Sequence, residues 1–346
     1  MYIYKWKINL INLTPESLKK LMLYLRFKVF VYKQILYWLY KTNVNVIFAM
    51  KNIKDKYKSI LNSISNIFKL TIISKFIDVD NSIKFILELE EKKRIEAVFI
   101  PNRKNHYTLC VSSQIGCVLN CSFCYTGKIK FIRNLKPFEI MSQILLSRYI
   151  LKKLFANKIL TNIVFMGMGE PLFNLSNLLA VIDIIIKTCS ISKNKITVST
   201  SGISDYFYLL FTLGIRIALS LHASNDILRD KLMPINKKYS LMKLLSVCKN
   251  IIKSDFLTIE YVMLDGVNDS INHASELVFL LKDIKCKICL IPFNYFPGSF
   301  YSCSSRETIN KFKNFLIMHN ITTTVRKTLG SSIYAACGQL AGKYEY

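Results

Sequence analysis

From residue 107 onward, short apolar segments with strand character alternate with longer segments of helical period. The strand-like segments lie at 108–111, 163–166, 196–199, 215–221, 257–264, 287–292 and 322–327. Repeated βα units favour a parallel sheet or barrel, because a parallel connection needs a crossover segment such as a helix. About six such units are too few for an eight-stranded barrel. We therefore predict an α/β fold built as an open, partial βα barrel.

The first 91 residues follow a different pattern. Thr14-Pro15-Glu16 resembles a helix start, with a capping hydroxyl, a proline in the first turn and a carboxylate near the positive end of the helix dipole. Two more helical segments follow, and strand-like segments at 71–78 and 82–89 flank a turn at Asp80-Asn81. We expect a small helical domain with a short β extension over residues 1–91 and the main domain over residues 92–346.

Three cysteines, Cys117, Cys121 and Cys124, fall within eight residues of the loop that follows the first βα strand. Chance produces this pattern roughly 0.01 times in a chain of this composition, whereas it produces a bare pair such as Cys286 and Cys289 about 0.3 times. Soft thiolates this close together suit an iron–sulfur cluster or a soft metal ion. Three ligands are one short of a closed four-thiolate site, so one iron would stay open to a substrate.

Polar residues recur where the predicted strands end, which is where parallel βα folds carry their sites. Taken singly, His222 could be a hydrogen-bonded structural histidine, Ser201 a helix cap, and the paired glycines at 167 and 169 a tight turn. Taken together, they predict a polar ligand lying across the mouth of the barrel. The residues are Gly169, Glu170, Ser199, Ser201, Ser220, His222 and Asn294.

The net charge of +26 predicts attraction to a polyanion, and nucleic acid is the usual partner of such a chain. Part of the lysine excess has a second explanation, because the composition is that of AT-rich coding. The sequence has no run of eighteen apolar residues and no signal pattern, so we expect a cytoplasmic protein without a membrane segment. Ten cysteines in that reducing compartment favour metal or redox chemistry over structural disulfides.

Several motifs, in order along the chain, resemble one enzyme family. The cysteine triplet, with Phe123 as its aromatic residue, is similar to the signature of radical S-adenosylmethionine (SAM) enzymes. Further motifs follow along the chain: Met-Gly-Met-Gly-Glu-Pro-Leu at 166–172, Val-Ser-Thr-Ser-Gly at 198–202, Leu-Ser-Leu-His-Ala at 219–223, Ile-Pro-Phe-Asn at 291–294 and Ala-Cys-Gly-Gln-Leu-Ala-Gly at 336–342. Together with the segments at 108–117 and 325–328, these motifs resemble the bacterial dual-specificity adenine-C2 methyltransferases of 23S rRNA and tRNA over nearly the whole chain.

The resemblance implies two cofactors. A [4Fe–4S] cluster would be held by Cys117, Cys121 and Cys124, and its open iron would bind SAM. Electron transfer would then cleave the SAM sulfonium and yield a 5′-deoxyadenosyl radical. The residues implied to bind SAM are Gly169, Glu170, Ser201, Ser220, Leu221, His222 and Asn294.

The resemblance also implies a relay between two cysteines outside the loop. Cys337 would take a methyl group from one SAM and, after a second SAM supplies a radical, carry it to adenine C2. Cys110 would then attack the Cys337 sulfur, which releases methyladenine and leaves a disulfide for a thioredoxin-type thiol reductant. Glu96 matches the position of a proton acceptor.

The implied substrates are an adenine in the peptidyl transferase centre of 23S rRNA and the adenine 3′ to the anticodon in tRNA. The N-terminal helices would contact RNA phosphates without reading sequence. We also expect an electron donor such as flavodoxin and a monomeric protein. Two alternatives stay open: a sister enzyme that methylates C8 of the same rRNA adenine, and a non-enzymatic RNA-binding protein with zinc at the cysteine loop.

Overall fold

The structure, a computed structural model, describes residues 7–102, 105–154, 158–251 and 257–341. Its N-terminal part contains three short helices and a two-stranded parallel pair. Thr14 caps the first helix as predicted, because its hydroxyl accepts a hydrogen bond from the Ser17 amide at 3.2 Å. The elements are β1 (Ile8–Asn9), α1 (Pro15–Tyr24), α2 (Val31–Tyr40), α3 (Asp55–Ile64) and β2 (Ser65–Asn66).

A β-hairpin and a third strand follow: β3 (Thr71–Ile77), β4 (Ile83–Glu88) and β5 (Arg94–Pro101). The predicted turn is confirmed, since the Ser82 amide donates to the Asp80 carboxylate at 2.8 Å and Asn81 has a φ of +67°. All three strands are antiparallel neighbours that continue into the central sheet. The hairpin is thus an extension of that sheet, and the division of the chain at residue 91 stays a prediction.

The remaining elements alternate as the sequence predicts, with two short helices, α6 and α7, that the periodicity did not indicate. Each has seven residues, about two turns, which is too short to establish a helical period. The elements are β6 (His106–Cys110), β7 (Gln114–Ile115), β8 (Arg133–Asn134), α4 (Pro137–Leu154), β9 (Ile159–Phe165), α5 (Leu175–Thr188), β10 (Ile196–Thr200), α6 (Phe207–Leu213), β11 (Arg216–Ser220), α7 (Asp226–Leu232), α8 (Leu241–Ile251), β12 (Leu257–Met263), α9 (Ile271–Leu281), β13 (Lys287–Pro292), α10 (Arg306–Met318) and β14 (Thr323–Val325).

Within the described residues, ten strands form one sheet in the order β14-β13-β12-β11-β10-β9-β6-β5-β4-β3. The strands from β6 to β14 in this order are parallel, and β5, β4 and β3 extend the sheet in antiparallel fashion. The two ends, β14 and β3, do not pair with each other. The prediction of an open, partial βα barrel is therefore confirmed.

The two faces of the parallel strands differ in composition. The outer face carries apolar residues that are fully buried in the main hydrophobic core with the helices, namely Ile163, Phe165, Ile217, Leu219, Ile259, Ile288 and Leu290. The alternate residues form the lumen face, which lines a cavity and consists of Val164, Thr197, Ala218, Thr258, Cys289 and Thr324. Most lumen-face residues keep some solvent exposure, so this face is not packed as a core.

One segment, Pro171–Thr188, is long and apolar enough to cross a membrane when only length and composition are considered. Half of it is buried inside the protein, and it includes α5, which contributes Leu178, Val181 and Ile185 to the core. A core helix meets the same criterion, and burial of this kind is what the packing of α5 requires.

Candidate active site

The cysteine loop starts and ends at a two-stranded antiparallel ladder of β7 and β8. Between them, Cys117, Cys121 and Cys124 line one cavity of about 130 Å³ together with Gly169 and Glu170. Burial raises the pKa of all three thiols, and the two neighbouring sulfurs raise the pKa of Cys121 further. Three partly buried thiols that disfavour one another as anions fit a soft cationic group, which would hold them as thiolates.

The spacing of these thiols bears on which group they fit. Among the described residues, no three His, Cys, Asp or Glu side chains converge closely enough to hold a single metal ion. A four-iron cluster spreads its ligands over a wider span than one ion does, and it is held by thiolates. The donor set of three thiols therefore fits an iron–sulfur cluster.

Six of the seven residues predicted to bind SAM line a second cavity of about 160 Å³ beside the cysteine loop. They are Gly169, Glu170, Ser201, Ser220, His222 and Asn294. Leu221, the seventh, is fully buried, and its carbonyl accepts a hydrogen bond from a buried arginine described below. Cys124 lines both cavities, so a ligand in the second cavity would contact a group held by the cysteines. Hydroxyl, amide, carboxylate and imidazole groups around one space suit a polar, zwitterionic molecule such as SAM.

The carboxylate of Glu170 is held in a fixed orientation at the edge of this cavity. One oxygen accepts from the Ser201 amide at 2.8 Å and the other from the Leu172 amide at 3.1 Å. Burial raises the pKa of Glu170, and these two amides oppose that rise. Gly169 has a φ of +93°, and a Cβ there would collide with the Gln114 side chain, so only glycine permits this close approach.

His222 is both a structural residue and a cavity residue. Its Nδ1 accepts a hydrogen bond from the Val262 amide at 3.0 Å, so the ring proton lies on Nε2. Burial, together with the smaller effect of the cations of Arg229 and Arg326, lowers the pKa of His222 to about 3, so the ring is neutral at neutral pH. The backbone contact thus fixes the tautomer of a ring that also faces the cavity.

Arg229 organises two of the strand ends, those of β10 and β11, and sequence reasoning missed it. Its guanidinium is fully buried and donates to the carbonyls of Ser201 at 2.7 Å, Ser220 at 3.2 Å and Leu221 at 3.1 Å. Because one guanidinium binds the carbonyls at both strand ends, it fixes the distance between them. An arginine in a short helix carries no pattern that would have revealed this role.

Cys110 and Cys337 lie far apart in the chain but line the same cavity, which has a volume of about 460 Å³. Cys110 ends β6 and is 7% exposed. Burial raises the pKa of the Cys110 thiol, and the nearby Cys337 sulfur raises it further. The structure therefore brings together the two cysteines that the resemblance singled out.

The loop that carries Cys337 is attached to the cysteine loop and to the end of β13. Asn294 donates from its side-chain amide to the Cys337 carbonyl at 3.1 Å. The Tyr125 amide donates to the Gly338 carbonyl at 2.7 Å, and the Thr126 hydroxyl to the Leu340 carbonyl at 2.6 Å. Cys337 is thus held beside the cavity of the three loop cysteines and beside the second, polar cavity.

A partly buried ion pair joins the polar cavity to Cys337, and sequence reasoning did not assign it. Arg326 donates to the Cys337 sulfur at 3.3 Å and to the Glu260 carboxylate at 2.5 Å. The other Glu260 oxygen accepts from the Ser199 hydroxyl at 2.8 Å. The only signal in the sequence was an acidic residue within the otherwise uncharged strand β12.

Glu96, the expected proton acceptor, lies elsewhere in the barrel. It is fully buried, with one carboxylate oxygen 3.8 Å from the Lys84 ammonium. The register of β5 and β6 puts Glu96 on the same side of the sheet as Cys110, because Val98 pairs with Cys110. It does not line the cavity that contains both cysteines. Its role as a proton acceptor stays a prediction.

Comparison with known proteins agrees with this arrangement. Family models match residues 111–278 (Radical SAM superfamily) and residues 8–67 (Ribosomal RNA large subunit methyltransferase N-terminal domain). The chain is 44% identical over 344 residues to the "Dual-specificity RNA methyltransferase RlmN" of Buchnera aphidicola subsp. Schizaphis graminum, covering 97% of this chain and 94% of that protein. It is 41% identical over 345 residues to the protein of the same name from Ruthia magnifica subsp. Calyptogena magnifica, with coverage of 97% and 96%.

A solved structure gives the same result for the fold. The crystal structure of a radical SAM methyltransferase from Sphaerobacter thermophilus matches with a TM-score of 0.91 and 33% sequence identity, over 97% of this chain and 100% of that chain. The matches include the N-terminal helices as well as the βα region. The chain therefore belongs to the RlmN family of radical SAM RNA methyltransferases.

Proposed function

We propose that this chain methylates C2 of an adenine in the peptidyl transferase centre of 23S rRNA and of the adenine 3′ to the anticodon in tRNA. The name shared by the curated relatives, dual-specificity RNA methyltransferase, supports two RNA substrates. The observation that carries the proposal is the shared cavity of Cys110 and Cys337, which adjoins a polar cavity and a triplet of thiols. No simpler RNA-binding role would use two further cysteines at this point.

Enzymes of this family use a [4Fe–4S] cluster and SAM. We propose that Cys117, Cys121 and Cys124 hold the cluster, and that the strand-end residues from Gly169 to Asn294 hold SAM. When bound, these groups supply the methyl carbon and the radical chemistry that adenine C2 needs, because an electron-poor carbon does not react by ordinary methyl transfer. The ring of His222 is neutral and the carboxylate of Glu170 is fixed in orientation, so both can position a zwitterion such as SAM.

Cys337 is proposed as the residue that carries the methyl carbon to the base. Cys110 then attacks the Cys337 sulfur, and the bond between that sulfur and the transferred carbon breaks. The carbon keeps the electron pair and takes up a proton to become a methyl group, and a disulfide remains between the two cysteines. Glu96 is proposed to receive the proton released from C2, with Lys84 beside it to stabilise a carboxylate. A thiol reductant then returns two electrons to the disulfide.

The same proposal includes the setting in which the enzyme works. We propose a cytoplasmic monomer that receives electrons from a donor such as flavodoxin. The high lysine content of the chain supports contacts with RNA phosphates, and we propose that α1, α2 and α3 supply part of them. Flipping the adenine out of its stack would require least energy in a loop, which both target sites provide.

Replacement of Cys110 by alanine tests the relay. We expect Cys110→Ala to accumulate RNA bound covalently to Cys337, because no thiol remains to release it. Denaturing gels and peptide mass spectrometry would locate the bond. The Cys110→Ala/Cys337→Ala double variant should trap no RNA, and Cys303→Ala, which changes an exposed thiol, should turn over normally. Clean multiple turnover by Cys110→Ala would refute the relay.

The position of the new methyl group decides between the two enzymatic readings. A C8 methyltransferase would use the same cluster and the same two cysteines, so the cavity alone does not distinguish them. The resemblance of the sequence motifs to adenine-C2 methyltransferases favours the C2 assignment. Nuclease mapping with mass spectrometry of the modified nucleoside, on rRNA and tRNA separately, identifies both the carbon and the substrates. A product methylated at C8 would overturn the C2 assignment.

A further inference from the structure

The lumen of this partial barrel is polar and hollow. Strand register aligns its residues in rows: Ser199, Ala218, Thr258 and Lys287 form one row, and Ser220, Glu260, Cys289 and Thr324 form the next. In closed βα barrels the equivalent positions hold bulky branched side chains that fill the interior. Here small and hydroxyl side chains leave a cavity of about 460 Å³, which is large enough for water or a small polar solute.

The cavity spans the length of the strands. At their carboxyl ends it is lined by Cys110 and Cys337, and at their amino ends by Arg216 and Lys287. Arg216 and Lys287 are the first residues of β11 and β13, and both are exposed. Neither forms a salt bridge with another described residue. Within the part of the chain that the structure describes, the amino end of the lumen is therefore a cationic mouth whose charge no neighbouring carboxylate neutralises.

The proposed function leaves this end of the lumen without a role. SAM is proposed to bind at the carboxyl ends of the strands, where Glu170, Ser201 and Asn294 lie. The disulfide that follows each turnover has to be reached by a reductant. Cys110 is almost fully buried, so a protein thiol, which cannot enter the barrel, has little access to its sulfur.

We propose that the lumen admits a small anionic thiol through its cationic mouth, and that this thiol reduces the Cys110–Cys337 disulfide. This inference rests on the proposed function, which supplies the disulfide. Positive charge at a narrow entrance raises the local concentration of an anion and the rate at which it enters. The hydroxyls of Thr197 and Thr258 line the path and can solvate a polar solute along it.

The chemistry is an ordinary thiol–disulfide exchange. The entering thiolate attacks the Cys110 sulfur, the bond between the two cysteine sulfurs breaks, and Cys337 leaves as a thiolate beside the Arg326 guanidinium. A second anionic thiolate attacks the outer sulfur of the mixed disulfide. This step releases a small-molecule disulfide and the Cys110 thiolate, which takes a proton from water in the lumen. Two thiols lose one electron each, and the protein disulfide gains two.

The test compares two thiols of similar size, of which only the anionic one is expected to be attracted by the cationic mouth. The Cys110–Cys337 disulfide is formed in the full-length protein with a chemical oxidant, without RNA or SAM, and its reduction is followed by alkylation and mass spectrometry. The probes are 2-mercaptoethanesulfonate, an anion, and 2-mercaptoethanol, which is neutral. We expect Arg216→Glu/Lys287→Glu to lower the ratio of the two rate constants by about tenfold or more.

Two further variants separate the mouth from general effects. Lys195→Glu reverses an exposed charge just before β10, outside the cavity, and should change the ratio by less than about twofold. Thr258→Tyr narrows the lumen and should slow both thiols. Equal ratios in the double variant and the unaltered protein would overturn the inference, as would faster reduction by a thioredoxin-type protein that Thr258→Tyr does not slow.

The outcomes distinguish the inference from the function on which it rests. If the two cysteines cannot be joined by oxidation, both the relay and the lumen route fail. If the disulfide forms but the ratio of the two rate constants does not depend on the charge at residues 216 and 287, the lumen route fails and the relay stands. A charge-dependent ratio, lost when salt screens the mouth, supports the lumen route.

Discussion

The outer face and the lumen face of the parallel strands share one backbone, yet they have different surroundings. On the outer face, Ile217, Ile259 and Ile288 are fully buried against the helices. On the lumen face, the neighbouring Thr258 and Cys289 stay partly solvated beside a cavity. The strands therefore obtain their stability from one side only. This arrangement leaves the other side free to carry thiols, charges and space for ligands, which a filled barrel could not hold.

The largest loss of stability is expected when a side chain on the outer face is shortened. Ile259→Ala should lower the free energy of unfolding by about 2–5 kcal/mol, because it removes a fully buried side chain and leaves a void. The adjacent Thr258→Ala, on the lumen face, should cost less than about 1 kcal/mol because its surroundings already contain solvent. Urea denaturation of both variants measures the difference. Equal losses would show that the lumen is packed as tightly as the core.

A smaller effect is expected for the charged pair that crosses the lumen. Glu260→Gln keeps the shape of the side chain but removes the charge that faces Arg326 at 2.5 Å. Loss of a charge-assisted hydrogen bond in a partly buried site should lower the free energy of unfolding by about 1–3 kcal/mol. Asp183→Asn, in the more exposed pair with Lys187, is the control and should cost about 0.5 kcal/mol or less. If Glu260→Gln is as stable as the control variant, the ion pair with Arg326 does not contribute measurably to the free energy of unfolding.

The smallest effect concerns acidity on the lumen face. Since burial raises the pKa of Cys110, the thiol is protonated at neutral pH, and its reactive thiolate fraction grows as pH rises. The release of RNA from Cys337 in a single turnover should therefore speed up about tenfold per pH unit through the neutral range. Rapid-quench measurement of the covalent complex gives the profile. A flat profile would mean that a neighbouring base removes the proton before the attack.

Much of this architecture follows from local sequence patterns. The alternation of strand-like segments with segments of helical period predicts the parallel sheet, and the spacing of Cys117, Cys121 and Cys124 predicts a shared centre. Thr14 predicts the start of α1. Each of these signals depends on residues close together in the chain, where spacing determines geometry directly.

Other parts depend on contacts between distant residues, which no local pattern contains. Glu260 and Arg326 are 66 positions apart, and their pairing becomes visible only when β12 and β14 lie in one sheet. Arg229 looks like any surface arginine until its contacts with the carbonyls of Ser201 and Ser220 are known. The proximity of Cys110 to Cys337 came from family resemblance, and the hollow lumen came from neither source, because volume is a property of the assembled sheet.

The hydrogen bonds from Tyr125 and Thr126 to the carbonyls of Gly338 and Leu340 have a thermodynamic consequence. They make the order of the cysteine loop and the order of the Cys337 loop mutually dependent. By linkage, any group that stabilises the first loop stabilises the second by the same coupling free energy, and the converse holds. Loading of the proposed cluster site and ordering of the Cys337 loop are therefore coupled equilibria, observable as a reciprocal change in the protection of backbone amides at residues 125 and 338.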